Sequence, residues 1–86
     1  MYEVVFSKRF ERDLRKITHK QPQLKLIVQN IFKTLATDPD AKSLRLHKLS
    51  GWYDWSVTVT MNLRIIVRLK QNTWYLLRIG THDEVY

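Results

Sequence analysis

Two alternating runs separated by three residues constrain this chain more than any other feature. Trp55, Val57 and Val59 alternate with Ser56 and Thr58, and Leu63, Ile65, Val67 and Leu69 alternate with Arg64, Ile66 and Arg68. Alternation of period two marks strands with one covered face, and the short gap makes the pair a hairpin. If both apolar sets share the covered face, directly paired residues must have numbers with an even sum. A two-residue turn at Met61-Asn62 gives an odd sum, sets Val59 opposite Arg64 and turns one apolar set outward. The three-residue loop Thr60-Met61-Asn62 restores the register, pairing Thr58 with Arg64 and Asp54 with Arg68. Arg64 is then expected on the open face of the sheet beside small hydroxyl side chains, a surface suited to a phosphate.

The rest of the chain supplies the cover. Tyr2 to Phe6 reads as a short first strand. Ser7 is a suitable N-cap for a helix whose apolar stripe is Phe10, Leu14 and Ile17, with Lys8, Arg9, Arg12, Arg15 and Lys16 around it. Thr18 to Gln21 breaks the pattern, and Pro22 suits the first turn of a second helix. Leu24, Val28, Ile31 and Leu35 form its stripe, with Ile27 and Phe32 widening it. This helix should run to about Ala36 and end before Asp38-Pro39. The two helices should pack as an antiparallel hairpin. In the connector Ala41 to Ser50, Leu44, Leu46 and Leu49 are expected to anchor to the core, leaving Lys42, Arg45, His47 and Lys48 in solvent. The second strand is placed at Tyr53 to Val59 and the third at Leu63 to Leu69. The fourth, Thr73 to Ile79, is apolar almost throughout and reads as covered on both sides. The expected class is α+β: a β-α-α-β-β-β chain forming one domain over residues 1–86, with the helical hairpin on one face of a mainly antiparallel sheet.

Charge narrows the partners. The chain has a formal net charge of +7, and residues 1–48 hold eleven Lys and Arg against five Asp and Glu. Such a balance favours an anionic partner: nucleic acid, an acidic protein or an anionic membrane surface. The absence of cysteine excludes disulfides and thiolate metal sites. No signal peptide and no apolar run of membrane-spanning length is evident, so a cytoplasmic protein is expected. The three histidines show no metal-ligand spacing, and no metal or small-molecule cofactor is expected.

The chemistry concentrates in Gly80-Thr81-His82-Asp83-Glu84-Val85-Tyr86, where a histidine and a tyrosine stand four residues apart directly after a strand. Histidine titrates near neutrality and serves as acid or base. Arginine, here Arg64, stays charged and holds phosphate oxygens. Tyrosine stacks on a base or orients a proton.

These segments together resemble a known family. The element order, Leu46-His47-Lys48-Leu49-Ser50-Gly51, Trp55-Ser56-Val57 leading to Asn62-Leu63-Arg64-Ile65-Ile66-Val67, and the ending Ile79 to Tyr86 look like the RelE/ParE superfamily of type II toxins, nearest its RelE/YafQ-type mRNA interferases. The resemblance spans nearly the whole chain. It implies an endoribonuclease that cleaves mRNA on the ribosome, inhibits translation and is restrained by a cognate antitoxin. It also implies roles. Arg64 matches the strand arginine that stabilises the phosphate, His82 the histidine of the Gly-Ser/Thr-His ending, Tyr86 the aromatic that closes it, and His47 the connector histidine, a second proton-transfer group. Lys42, Arg45, Lys48, Arg68, Arg12 and Lys16 are the candidate RNA-binding cations, and Trp52 a candidate stacking residue. The chain departs from RelE in having no lysine on the strand Trp55 to Val59. Two other readings stand beside this one: a ParE-like gyrase inhibitor of the same fold, and a non-catalytic basic module that binds RNA or a partner.

Overall fold

The computed structural model describes residues 1–49 and 54–86. The start of the second expected strand (Tyr53), the turn Ser50-Gly51 and the candidate stacking residue Trp52 lie outside the described residues. β1 (Glu3–Phe6) leads into α1 (Lys8–Lys20) and α2 (Leu24–Thr37). A 3₁₀ turn (Lys42–Leu44) and a two-residue strand, β2 (His47–Lys48), occupy the connector. β3 (Asp54–Thr58), β4 (Leu63–Lys70) and β5 (Thr73–Thr81) follow, and α3 (His82–Val85) comes last. The class is α+β, as expected, with β2, the 3₁₀ turn and α3 added to the expected order.

The five strands form one sheet in the order β1-β5-β4-β3-β2. β1 lies parallel to β5, and the other three pairings are antiparallel. The β3–β4 register is the one that parity requires: Thr58 pairs with Arg64, Val57 with Ile65 and Asp54 with Arg68. The loop is closed by Val59 N–H donating to the Leu63 carbonyl at 2.9 Å and by Leu63 N–H donating to Thr60 Oγ1 at 3.2 Å.

Ser7 does two things at the start of α1. Its Oγ accepts the Phe10 N–H at 3.0 Å and donates to the Leu77 carbonyl at 3.0 Å, so the helix start is both capped and tied to β5. Phe10 from α1 and Val28, Ile31 and Leu35 from α2 pack on Val57, Ile65, Val67, Trp74, Leu76 and Ile79. Each such burial stabilises the fold by roughly 1.5–3 kcal/mol before chain entropy is counted. Phe32 widens the stripe by meeting the Phe6 ring at 4.6 Å between centroids. Ile27 does not: it is 37% exposed.

Two other expectations are corrected. Pro22 precedes α2 rather than opening it. Leu24 N–H donates to the Gln21 carbonyl and Lys25 N–H to that of Pro22, so a tight turn comes before the first α-helical residue. β5 is not covered on both sides along its length. Ile66 pairs with Arg78 but Val67 with Leu76, so Leu77 is an extra residue, a β-bulge. The bulge breaks the alternation and sends Trp74, Leu76 and Ile79 into one core while Tyr75 remains 37% exposed. Among the described residues, α3 adds cover at the far end of β5, where it packs on β4 and β5. Among the described residues, no helix is long and apolar enough to cross a membrane.

Candidate functional site

Arg64 stands in β4 between Thr58 of β3 and Gly80 of β5. Its Nη1 donates to Thr58 Oγ1 at 2.8 Å. Among the described residues no carboxylate pairs with it, so this half-buried guanidinium is positioned by a neutral partner and its charge is left uncompensated.

His82 and Tyr86 are delivered by α3. A four-residue helix cannot stand on helix propensity alone, and its start is fixed locally. Thr81 Oγ1 accepts the Glu84 N–H at 3.3 Å, and Glu84 Oε1 accepts the Thr81 N–H at 2.8 Å, a reciprocal capping box. The Thr81 backbone N–H, and then its hydroxyl, hold the Glu84 carboxyl below the usual carboxylate range. Tyr86 N–H donates to the His82 carbonyl at 3.0 Å, and the two rings lie 4.3 Å apart between centroids, tilted by 59°. The nearest carboxylate, that of the exposed Asp83, is 3.6 Å from His82 Nδ1, too long for a hydrogen bond.

Gly80 lets α3 lie down. A Cβ at this position would meet Glu84 Oε1 at 3.1 Å and Val85 Cγ1 at 3.2 Å. These contacts are tighter than most packed side chains show, so a Cβ here would require Glu84 and Val85 to give by a few tenths of an ångström. His47 comes from the opposite side, on β2, where it pairs with Ser56 of β3.

His47, Arg64, His82 and Tyr86 all line one cleft of about 530 Å³, with Arg45, Leu49, Ser56 and Thr58 as its remaining walls. Three elements far apart in sequence thus bring two imidazoles, one guanidinium and one phenol to one concave surface. Such a set can take and give a proton and can hold an anion between.

The candidate RNA-binding cations divide. Arg45 is in the cleft, and Lys42 and Arg45 border a neighbouring hollow. The Lys48 ammonium lies over the Trp55 ring, 5.8 Å from its centroid. Arg68 is bound at two points to the buried Asp54, Nε to Oδ1 at 2.6 Å and Nη2 to Oδ2 at 3.2 Å. That hydrogen bond, and then the carboxylate charge, raise the Arg68 pKa. Lys16 lies elsewhere, in a groove of about 480 Å³ with Arg9, Lys20, Arg78 and Glu84. In that region Arg78 Nε is buried without a hydrogen-bond partner among the described residues. Arg12 is exposed on α1 and lines neither the cleft nor this groove. Among the described residues no three His, Asp or Glu side chains form a metal-binding cluster.

Sequence reasoning passed over Leu49 as a cleft wall and α3 as a helix. Leu49 carries no distinguishing signal. α3 does carry one: Thr81-x-x-Glu84 is the capping-box spacing.

Comparison with known proteins gives the family and the fold. The family described as ParE toxin of type II toxin-antitoxin system, parDE, matches residues 4–86. No curated protein matches the chain. Among solved structures, a metal-bound toxin from Helicobacter pylori is 27% identical, with a TM-score of 0.85 and 100% of both chains covered. YafQ from E. coli strain BL21(DE3) is 20% identical, with a TM-score of 0.80, covering 100% of this chain and 99% of its own. The toxin-like chain of the E. coli DinJ-YafQ complex is 21% identical, with a TM-score of 0.81 and the same coverage. At that level of identity the likeness to the E. coli structures shows the fold alone.

Proposed function

This chain belongs to the ParE toxin family of type II toxin–antitoxin systems, within the RelE/ParE superfamily, and from the side chains that line its cleft we propose that it is an endoribonuclease toxin. In this reading it cuts mRNA on translating ribosomes in the cytoplasm, inhibits translation and acts as one domain. Its restraint is a cognate antitoxin protein, a partnership that the DinJ-YafQ complex of a fold neighbour supports. The observation that carries the reading is the convergence of His47, Arg64, His82 and Tyr86 on one cleft.

The reaction such a cleft suits is transfer within RNA. The ribose 2′-oxygen attacks the adjacent phosphorus, the bond to the 5′-oxygen of the next nucleotide breaks, and a 2′,3′-cyclic phosphate is left. One of His82 and His47 takes the 2′-hydroxyl proton and the other gives a proton to the leaving 5′-oxygen. Arg64, with Nη1 already on Thr58, directs its other N–H groups at the phosphate oxygens as negative charge builds. Tyr86, packed at a tilt against the His82 ring, limits that ring's freedom and offers a face to a base. Proton transfer and charge stabilisation all come from side chains, and no metal is required.

The test is cleavage of mRNA on translating ribosomes, with free RNA alongside, by wild type and by His82→Ala. The variant is expected to lose roughly 10²–10⁴-fold in cutting rate. Undiminished cutting removes His82 from the mechanism. The match to the ParE toxin family favours a second reading, a same-fold toxin that poisons DNA gyrase instead of cutting RNA. Absence of RNA cleavage by wild type together with gyrase inhibition would establish that reading instead.

A further inference from the structure

Next to the cleft, around the edge of the sheet that β2 forms, lies a second hollow of about 350 Å³. Its walls are Pro39, Ala41, Leu46 and Trp55, and its polar groups are Asp40, Lys42 and Arg45. Three features set it apart from a chance dimple. Trp55 is half-buried against the core, with the Lys48 ammonium over its ring 5.8 Å from the centroid and the ring still reaching the wall of the hollow. Asp40 makes no ion pair among the described residues despite the cations around it. Arg45 belongs to both the hollow and the cleft, and it has a left-handed backbone, φ 48°.

That backbone is informative. A non-glycine residue in the left-handed region costs roughly 1–2 kcal/mol, and such positions persist where the surrounding structure imposes them. Here the Arg45 N–H closes the 3₁₀ turn on the Lys42 carbonyl at 3.1 Å. The chain then turns into β2, and Arg45 is left on the rim between the two cavities.

We infer that this hollow is a nucleobase subsite, and that Asp40 selects the base that fills it. An apolar, aromatic floor suits the face of a base. Lys42 and Arg45 suit the phosphate that joins this base to the nucleotide in the cleft. The carboxylate accepts hydrogen bonds only, so it favours the base edge with two adjacent donors. Guanine N1–H and N2–H₂ offer two parallel donors to the two oxygens, whereas uracil offers a single donor between two carbonyls that the carboxylate repels. The subsite therefore takes guanine before uracil in single-stranded RNA. Its biological sense rests on the ribonuclease reading, since it adds base preference to the same substrate.

The experiment separates the two claims. Guanosine and uridine monophosphates are titrated into the protein and the Trp55 indole N–H signal is followed by NMR. Guanosine monophosphate is expected to shift that signal and to bind roughly tenfold more tightly than uridine monophosphate. Asp40→Asn, a change at an exposed position, is expected to erase the difference while keeping the fold. Equal binding of both nucleotides, or no shift at Trp55, overturns the subsite. The same variant is then compared with wild type by mapping cut sites. Loss of a guanine preference beside the cut supports the subsite, and an unchanged cut pattern counts against it. A chain that cuts no RNA but binds guanosine monophosphate at Trp55 overturns the ribonuclease reading and leaves the subsite standing.

Discussion

Arg64 and Arg68 stand on the same strand and face the same side of the sheet, yet their neighbours give them opposite roles. Across the β3–β4 pair, Arg68 meets Asp54, whose side chain is only 8% exposed, in a two-point ion pair. Arg64 meets Thr58, a neutral hydroxyl, at 2.8 Å. The first arginine is neutralised and serves to compensate a buried charge. The second keeps an uncompensated charge beside two imidazoles. A single cross-strand partner decides which arginine is structural and which can address an anion.

Thr58→Asp attacks that comparison most directly. It places beside Arg64 the carboxylate that Asp54 supplies to Arg68. The fold should survive, because the register already accommodates such a pair two pleat repeats away, at Asp54 and Arg68. RNA cutting on ribosomes is expected to fall by about 10²–10³-fold, the loss associated with removing one oxyanion donor. Cutting at the wild-type rate by a folded Thr58→Asp protein would show that Arg64 does not act through its free charge.

Arg68→Ala sharpens the contrast from the other side. It leaves Asp54 buried without its partner, at a cost of about 2 kcal/mol, and Tm should fall by roughly 8–16 °C in a domain this small. Cutting per folded molecule should stay near wild type. If thermal denaturation shows no loss of stability, the ion pair is ornamental and the division of labour fails.

The smallest effect concerns α3, which brings His82 to Arg64. The Glu84 carboxyl sits below its usual range because Thr81 donates to it. A carboxylate with a lowered folded pKa stabilises above the unfolded value, about 4.3 for glutamate, and that support is lost as pH falls through the lowered value. The cap of α3 should therefore hold at neutral pH and loosen in acid while the sheet persists. Hydrogen exchange at the Thr81 amide, followed as pH falls, reads this directly. Early exchange of the β4 amides at the same pH would mean that the sheet, not the cap, is giving way.

How legible all this was depends on how local each cause is. The β3–β4 register followed from counting, because parity admits few ways to bury Val57, Ile65 and Val67 together. Arg64 beside Thr58 and Arg68 beside Asp54 came with it. The stripe Leu24, Val28, Ile31 and Leu35 was equally plain from its period. β2 was not legible, since two residues show no alternation and owe their strand to pairing with Ser56 and Trp55. Nor was the bulge at Leu77, which is set by how β4 and β5 fit. The division of the basic residues was hidden for the same reason. Lys16 and Arg45 look alike in sequence, and only tertiary packing puts one in the groove against α1 and the other at the cleft. α3 was the avoidable miss, since the Thr81-x-x-Glu84 spacing announces a helix start.

Gly80 allows α3 to fold back onto the sheet, and this arrangement makes disarmament simple. Every strand pairing of the sheet is made by residues 3–81, whereas His82 and Tyr86 both follow it. A peptidase cutting after Thr81 would leave the five strands and both long helices in place and carry off one imidazole and the phenol together. Cleft and architecture would come apart at one peptide bond, leaving a folded shell that still carries Arg64 and His47 on its sheet.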